Sequence, residues 1–288
     1  MPKRFVFTPL AALAVAALCS APSCWSLQQL QLGRRLQLPP HAGYHGNNRR
    51  IKDSFFEGWY LRVVTKQQES IVLIFHIFDP HIRTPRQGVG LQVVTPKGTV
   101  VTNCSDVSSF RADSHSLDLR NFFPSGDENK DFFRLSEQRA SGRATSTNGE
   151  RLSAVFDFDI LPTVGWGETL LADTETTSSS SSSEQFSTAG WLSAFPVFEP
   201  HYQVLISKGT TMGSLTLKEE HDEGSSEFAH YDLDGATMYL EKNWGRSFPS
   251  RWWWIQANTF VENKDLSITS TAARRQLPFF AATATKKK

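Results

Sequence analysis

The chain has 288 residues, which is long enough for one or two domains. Thirty Lys and Arg against 29 Asp and Glu leave a net charge of +1, so no overall basic field predicts a nucleic-acid partner. Only three cysteines are present, two of them within the first 24 residues, which excludes a disulfide framework and a cysteine-rich zinc site. Aromatic residues make up 12% of the chain and indicate a β-rich protein, since they fit a pleated surface.

Residues 1–52 contain no Asp or Glu and are predicted to be a targeting region. A positively charged start, an apolar run and a group of small residues are typical of a signal peptide over residues 1–26. The basic segment 27–52 is similar in composition to a transit sequence. Together the two segments predict import into an organelle, and secretion is the alternative.

Short apolar runs separated by Gly, Pro, Asn and Asp predict an all-β fold. Residues 55–64 and 70–79 are predicted to form a hairpin around a polar loop. Further strands are predicted at 90–94, 99–101, 152–158, 202–206 and 214–217. The serine-rich segment 174–187 cannot bury enough surface to order itself, so it is predicted to be a disordered insertion.

The segment from Glu241 to Phe260 contains four of the eight tryptophans. If it is a strand, the alternation of side chains puts one set of residues on a common face: Trp252, Trp254, Gln256 and Asn258. Aromatic rings with two amides among them suit a pocket for a large apolar ligand with a polar end. A sandwich core whose amides are bonded to neighbouring backbone is the alternative.

Several enzyme motifs are missing from the sequence. No G-x-S-x-G elbow occurs, and the single G-x-G that precedes an apolar run lacks the third glycine of a dinucleotide site. The histidines show no metal-ligand spacing. The sequence therefore predicts neither a metal nor a cofactor.

Carboxylates within aromatic segments are the remaining candidates for chemistry. Glu57 alternates onto the same strand face as Trp59, where desolvation favours the protonated, proton-donating acid. An ion pair with Arg62 or Arg251 is the alternative. Glu241 is the second candidate, and alternation directs its neighbour in the chain to the opposite face of the strand.

Three strings resemble the tocopherol cyclase family: FFEGWY at 55–60, GWLSAFPVFEPHYQ at 190–203, and EKNWG with the aromatic run that follows it at 241–260. The flanking strings PPHAGYHG and RQLP are also similar to this family, so the resemblance covers about residues 39–278. It implies an all-β, lipocalin-like barrel or sandwich in two tandem halves, as in the related carotenoid hydratases. The first half is expected at 53–240, and the second, from 241 to 288, is expected to be incomplete.

The resemblance implies a tocopherol cyclase, an intramolecular lyase or isomerase of vitamin E biosynthesis. Such an enzyme closes the chromanol ring from a phytyl-benzoquinol and needs no redox cofactor. It is expected in plastids, in peripheral association with a membrane or with the lipid droplets called plastoglobules. A non-catalytic, lipocalin-like carrier of prenylquinols or carotenoids is the alternative.

In that mechanism Glu57 or Glu241 donates the proton, and His201 or Glu199 accepts the phenol proton. The tryptophans expected to face the cation are Trp59, Trp244 and Trp254. The side chains expected to orient the quinol oxygens are Lys242 and Asn243. The other candidate substrate-binding residues are Tyr60, Trp252, Gln256 and Asn258.

Overall fold

The computed structural model describes residues 42–47, 53–123, 131–165, 187–190, 199–221, 225–263 and 266–274, with the side chains of 162–165 left out. Within these ranges the chain forms fourteen β-strands and no α-helix, which confirms the all-β prediction. No helix in the described part is long and apolar enough to cross a membrane. The predicted signal peptide, most of the transit-like segment, nearly all of the serine-rich insertion and the C-terminal tail lie outside the described residues.

The strands alternate buried and exposed positions, as expected where one face of a sheet is packed. They are β1 (Phe56–Val64), β2 (Ser70–Phe78), β3 (Gly88–Thr95), β4 (Gly98–Cys104), β5 (Arg111–Ala112), β6 (Asp118–Phe122), β7 (Phe132–Ser136), β8 (Arg139–Thr145), β9 (Leu152–Gly165), β10 (His201–Glu220), β11 (Ser226–Asp232), β12 (Thr237–Gly245), β13 (Arg251–Ala257) and β14 (Ile268–Arg274).

Twelve strands form one antiparallel sheet in the order β4-β3-β2-β1-β12-β10-β9-β8-β7-β6-β5, with β11 paired to β10. The sheet curls until β4 approaches β8. There the Thr102 hydroxyl donates to the Thr145 carbonyl oxygen over 2.6 Å, and the Thr147 amide donates to the Val101 carbonyl oxygen over 2.8 Å. The two halves of the sheet therefore face each other in a lipocalin-like sandwich.

The hydrophobic core lies between these two halves. On β1 the core side chains are Trp59, Leu61 and Val63, each exposed by 1% or less. Phe75 of β2 meets Phe133 of β7 edge to face, with ring centres 5.2 Å apart. We call the side of the sheet that faces this core the inner face, and the opposite side the outer face.

The β1–β2 hairpin is confirmed, with bounds within one residue of the prediction. The predicted strands 202–206 and 214–217 were wrong as separate elements, because both belong to the 20-residue strand β10. Gly213 lies within β10 with φ of +142°, and a Cβ there would come within 2.2 Å of the Asp157 carbonyl oxygen. Gly213, which indicates a break in the sequence, thus allows a backbone conformation inside a continuous strand that other residues rarely adopt.

Strand β12 was not predicted as an element, and it lies at the centre of the sheet between β1 and β10. The expected boundary between the halves, after residue 240, falls inside this strand. Glu241–Gly245 therefore pair with β1 and share its sheet.

The two remaining strands, β13 and β14, form a separate hairpin against the outer face. The Arg62 guanidinium donates to Gln256 Oε1 over 2.8 Å, and Asn258 Nδ2 donates to the Met238 carbonyl oxygen over 2.9 Å. The Tyr202 hydroxyl lies 2.9 Å from Thr269 Oγ1. The hairpin therefore covers the outer side of β1, β10 and β12.

Phe75→Ala is expected to lower the free energy of unfolding by about 3–5 kcal/mol, because the removed ring leaves a cavity in the core. Phe228→Ala is the control, since Phe228 is 61% exposed on β11 and its removal should change stability by less than about 0.5 kcal/mol. Urea denaturation measures both changes. Equal effects of the two substitutions would contradict this placement of the core.

Candidate active site

Strand β12 carries two buried ionisable side chains on opposite faces of the sheet. Glu241 is 6% exposed and points to the outer face, whereas Lys242 is fully buried on the inner face. This follows from the period of two along a strand. Two polar clusters therefore lie back to back across the same strand.

The inner cluster is an ion pair between Lys242 and Glu57, both fully buried, with Nζ and Oε1 2.9 Å apart. Glu57 Oε2 accepts the backbone amide of His45 over 2.9 Å, and Lys242 also donates to the Gly43 carbonyl oxygen. Burial lowers the pKa of Lys242, and the Glu57 carboxylate opposes that shift. Glu57 was predicted to be either a protonated acid or the partner of an arginine. The structure shows an ion pair, but the partner is Lys242 and not Arg62 or Arg251.

Imidazole rings enclose Trp244 at the edge of the inner cluster. His45 stacks on its indole with ring centres 4.2 Å apart, and His201 lies 5.3 Å away. Burial lowers the pKa of His201, which favours the neutral imidazole, and the nearby Glu199 opposes the shift. Glu199 Oε2 accepts the backbone amide of Arg246 over 3.1 Å.

The outer cluster surrounds Glu241, between the main sheet and the β13–β14 hairpin. Glu241 Oε2 accepts the Tyr239 hydroxyl over 2.7 Å and Trp254 Nε1 over 3.1 Å. Its Oε1 accepts Asn243 Nδ2 over 3.2 Å. The Tyr60 ring packs edge-on against Trp254, with centres 5.3 Å apart. Glu241 therefore has neutral donors and aromatic rings as neighbours.

Burial raises the pKa of Glu241 above the ordinary value of 4.5. Hydrogen bonds from Tyr239, Tyr202, Asn243 and Trp254 oppose this shift because they stabilise the charged form. No cation lies within ion-pair distance of Glu241 among the described side chains. Burial thus favours the protonated form of Glu241.

The side chains of β13 and its end that were predicted to share one face are partly exposed to solvent and partly in contact with the main sheet. Trp252 is 58% exposed and lies near Phe248, with ring centres 6.3 Å apart. Gln256 and Asn258 hold the hairpin to the sheet, because Gln256 accepts from the Arg62 guanidinium and Asn258 donates to the Met238 carbonyl oxygen. Of this face, only Trp254 contacts Glu241.

Three hydroxyl groups next to Glu241 were not predicted. The Tyr202 hydroxyl lies 2.9 Å from that of Tyr239 and 2.9 Å from that of Thr269, and the last two are 3.2 Å apart. Tyr239 precedes Glu241 by two residues, so strand alternation alone could have placed it on the same face. Tyr202 and Thr269 come from other strands, and no local signal points to them.

The described part of the chain holds no group of three or more His, Cys, Asp or Glu side chains able to bind a metal ion. His76 of β2 is half-buried, and its Nε2 lies 3.1 Å from Asn103 Oδ1. Burial lowers its pKa and favours the neutral ring.

The chain matches the model of the tocopherol cyclase-like family over residues 53–285. It belongs to this family. Among the curated members, the "Tocopherol cyclase, chloroplastic" of Zea mays is 29% identical over 275 residues. The "Probable tocopherol cyclase, chloroplastic" of Oryza sativa subsp. japonica is 27% identical over the same length. Both alignments cover 83% of this chain and 53% of the relative, so the chain spans about half the length of these tocopherol cyclase relatives.

Among solved structures, the chain resembles a candidate AttH protein from Nitrosomonas europaea with a TM-score of 0.39 and 12% identity. That comparison covers 85% of this chain and 67% of the other.

Lys242→Met should lower the free energy of unfolding by about 3–5 kcal/mol, because it leaves the Glu57 carboxylate buried without its cation. The double variant Lys242→Met with Glu57→Gln removes both charges and should recover part of the loss. Urea denaturation of the two variants measures the difference. A single variant as stable as the wild type would contradict the buried ion pair.

The raised pKa of Glu241 predicts a pH-dependent contribution to stability. Below about pH 4.5 both the native and the unfolded chain hold this proton, and the contribution is complete. As the pH rises from there through the native pKa, the unfolded chain ionises first and the contribution is lost.

The free energy of unfolding of the wild type minus that of Glu241→Gln should therefore fall as the pH rises above about 4.5. Denaturant titrations at a series of pH values give this difference, and the amide supplies the non-titrating reference. A difference that stays flat would show that Glu241 ionises normally in the fold, and a difference that increases would show that the fold lowers its pKa.

Proposed function

We propose that this protein is a plastid tocopherol cyclase that closes the chromanol ring of a phytyl-benzoquinol in vitamin E biosynthesis, with Glu241 as the proton donor. The observation that carries the proposal is the buried position of Glu241 among aromatic rings and neutral donors. The names of the maize and rice relatives support the reaction and the compartment.

The reaction is an isomerisation that needs one acid and one base. The acid adds a proton to the alkene of the phytyl chain, which leaves a tertiary cation. The neighbouring phenol oxygen attacks this cation, a C–O bond forms, and the phenol loses its proton. A carboxyl group that stays neutral in an apolar site is matched to the first step.

The rings around Glu241 are suited to stabilise the cation. Trp254, Tyr60 and Tyr239 lie on the outer side of the sheet, next to the acid. Each cation–π contact contributes roughly 0.5–2 kcal/mol, so several together can compete with capture by water. Trp59 and Trp244, expected to face the same cation, lie on the inner face and are separated from Glu241 by the strand backbone.

The other candidate residues divide in the same way. Asn243 shares the outer face with Glu241, and in this proposal it orients one of the quinol oxygens. Lys242 and Glu57 have a structural role in this proposal, because their ion pair ties the segment at Gly43 to β1 and β12.

Peripheral association with a plastid membrane or plastoglobule is part of the proposal. The apolar side chains Trp252, Trp253 and Ile255 of β13 are 58%, 50% and 54% exposed. Aromatic side chains of this kind are favoured at lipid–water interfaces. A prenylquinol dissolved in lipid would reach the hairpin from that side.

A non-catalytic carrier of prenylquinols or carotenoids is the second candidate. Hydrogen bonds from Tyr239, Trp254 and Asn243 favour it, because they stabilise the charged form of Glu241 and oppose proton donation. A carrier would bind the quinol and release it unchanged.

Glu241→Gln is expected to lower chromanol formation by about 10²–10⁴-fold, the range of general acid catalysis, while quinol binding is retained. The assay incubates the purified full chain with phytyl-benzoquinol and separates the chromanol by chromatography. Glu227→Gln, at an exposed position of β11, is the matched control and should leave turnover unchanged. Full turnover by Glu241→Gln rules out the acid, and quinol binding by the wild type without any chromanol shows a carrier.

A further inference from the structure

The hydroxyls of Tyr202, Tyr239 and Thr269 form a triangle beside the proposed acid. They come from three strands, β10, β12 and β14, and each lies 2.9–3.2 Å from the other two. Tyr239 also donates to Glu241 Oε2 over 2.7 Å. The triangle therefore connects the buried carboxyl to two residues that are half-buried.

Hydrogen bonds within this group can reverse their direction while the heavy atoms stay in place. Each hydroxyl donates one hydrogen bond and accepts up to two. Tyr239 can donate to an ionised Glu241, or accept from a protonated Glu241 and donate to Tyr202 or Thr269. Burial and the neighbouring Glu241 charge raise the pKa of both tyrosines, so they remain hydroxyls at neutral pH.

The proposed reaction requires a base that restores the acid after each turnover. Of the two residues expected to accept the phenol proton, His201 lies on the side of Trp244 and not on that of Glu241, and Glu199 accepts the Arg246 amide beyond the end of β12. His201 pairs in register with Trp244, whereas Tyr202 pairs with Asn243 and is on the outer side with Glu241. The hydroxyl triangle lies on the same face as Glu241 and is hydrogen-bonded to it through Tyr239.

We propose that Tyr202 and Tyr239 return the phenol proton to Glu241, and that Thr269 holds their hydroxyls in position. This inference rests on the proposed function. The phenol O–H bond breaks as its proton passes to the Tyr202 oxygen. Tyr202 gives its own proton to the Tyr239 oxygen, and Tyr239 gives its proton to Glu241 Oε2. One proton enters and one is delivered, and no atom changes its oxidation state.

The test is rapid mixing of phytyl-benzoquinol with Tyr239→Phe after equilibration of the variant in buffer. Glu241 is then protonated before the substrate arrives, and the first phenol proton leaves through the half-buried Tyr202 to solvent, so the first turnover should proceed at close to the wild-type rate. Later turnovers should be slower by about 10²-fold or more, because Glu241 must recover its proton from solvent. The expected record is a burst of one chromanol per chain, followed by a slow phase that small buffer acids accelerate.

Tyr231→Phe is the matched control. Tyr231 is a buried tyrosine on β11, 4% exposed, and its hydroxyl has no hydrogen-bond partner in the described part of the chain. Tyr231→Phe removes a tyrosine hydroxyl, as Tyr239→Phe does, but changes no atom of the triangle. Multiple turnovers should therefore proceed without a burst. Thr269→Val should show the burst, and Thr269→Ser, which keeps the hydroxyl, should restore steady turnover.

If Tyr239→Phe turns over at the wild-type steady rate without a burst, proton return through Tyr202 and Tyr239 is ruled out, and Glu241 remains the proposed acid. A first turnover that is slowed as much as the later ones, with no acceleration by buffer acids, also overturns it, because Tyr239 then only positions the carboxyl. If Tyr239→Phe does not fold, Thr269→Val, for which the same burst is expected, carries the test. Full turnover by Glu241→Gln would instead overturn the proposed function itself.

Discussion

Glu241 is buried, and in the described part of the chain no cationic side chain lies within ion-pair distance of it. A charged carboxylate in this position is costly, and hydrogen bonds from neutral groups offset only part of that cost. Glu57, one strand away on the other face, is fully buried but has Lys242 beside it. The two glutamates of the family strings are thus distinguished by their neighbours, and this difference is the reason for proposing Glu241 as the acid.

The β13–β14 hairpin creates this environment by covering the outer side of the main sheet. Without it Glu241 and Tyr239 would face solvent, and Trp254 and Thr269 would be absent from the cluster. Its attachment combines polar contacts, such as the bond from Asn258 to the Met238 carbonyl oxygen, with ring contacts of Trp254 to Tyr60 and Tyr239. Strand β13 therefore covers the outer cluster and is not part of the main core.

Strand alternation was sufficient to predict local features of the molecule. It placed Glu57 with Trp59 on a buried face, put Glu241 and Lys242 on opposite faces, and located the β1–β2 hairpin. It could not predict the ion pair between Glu57 and Lys242, because the pairing of β1 with β12 brings together residues far apart in the sequence. The hydroxyl triangle was missed for the same reason, since its members lie on three strands whose order in space no short string encodes.

Glu241 is expected to hold its proton at a pH where an ordinary glutamate has lost it. Infrared difference spectra of the wild type against Glu241→Gln, recorded over a pH series, isolate the protonated carboxyl signal of this one residue. A carboxylic acid band that persists above the ordinary pKa of 4.5 and is missing from the variant is the predicted result. A band that disappears at or below that pH would contradict the account, because Glu241 would then be a carboxylate when the quinol binds.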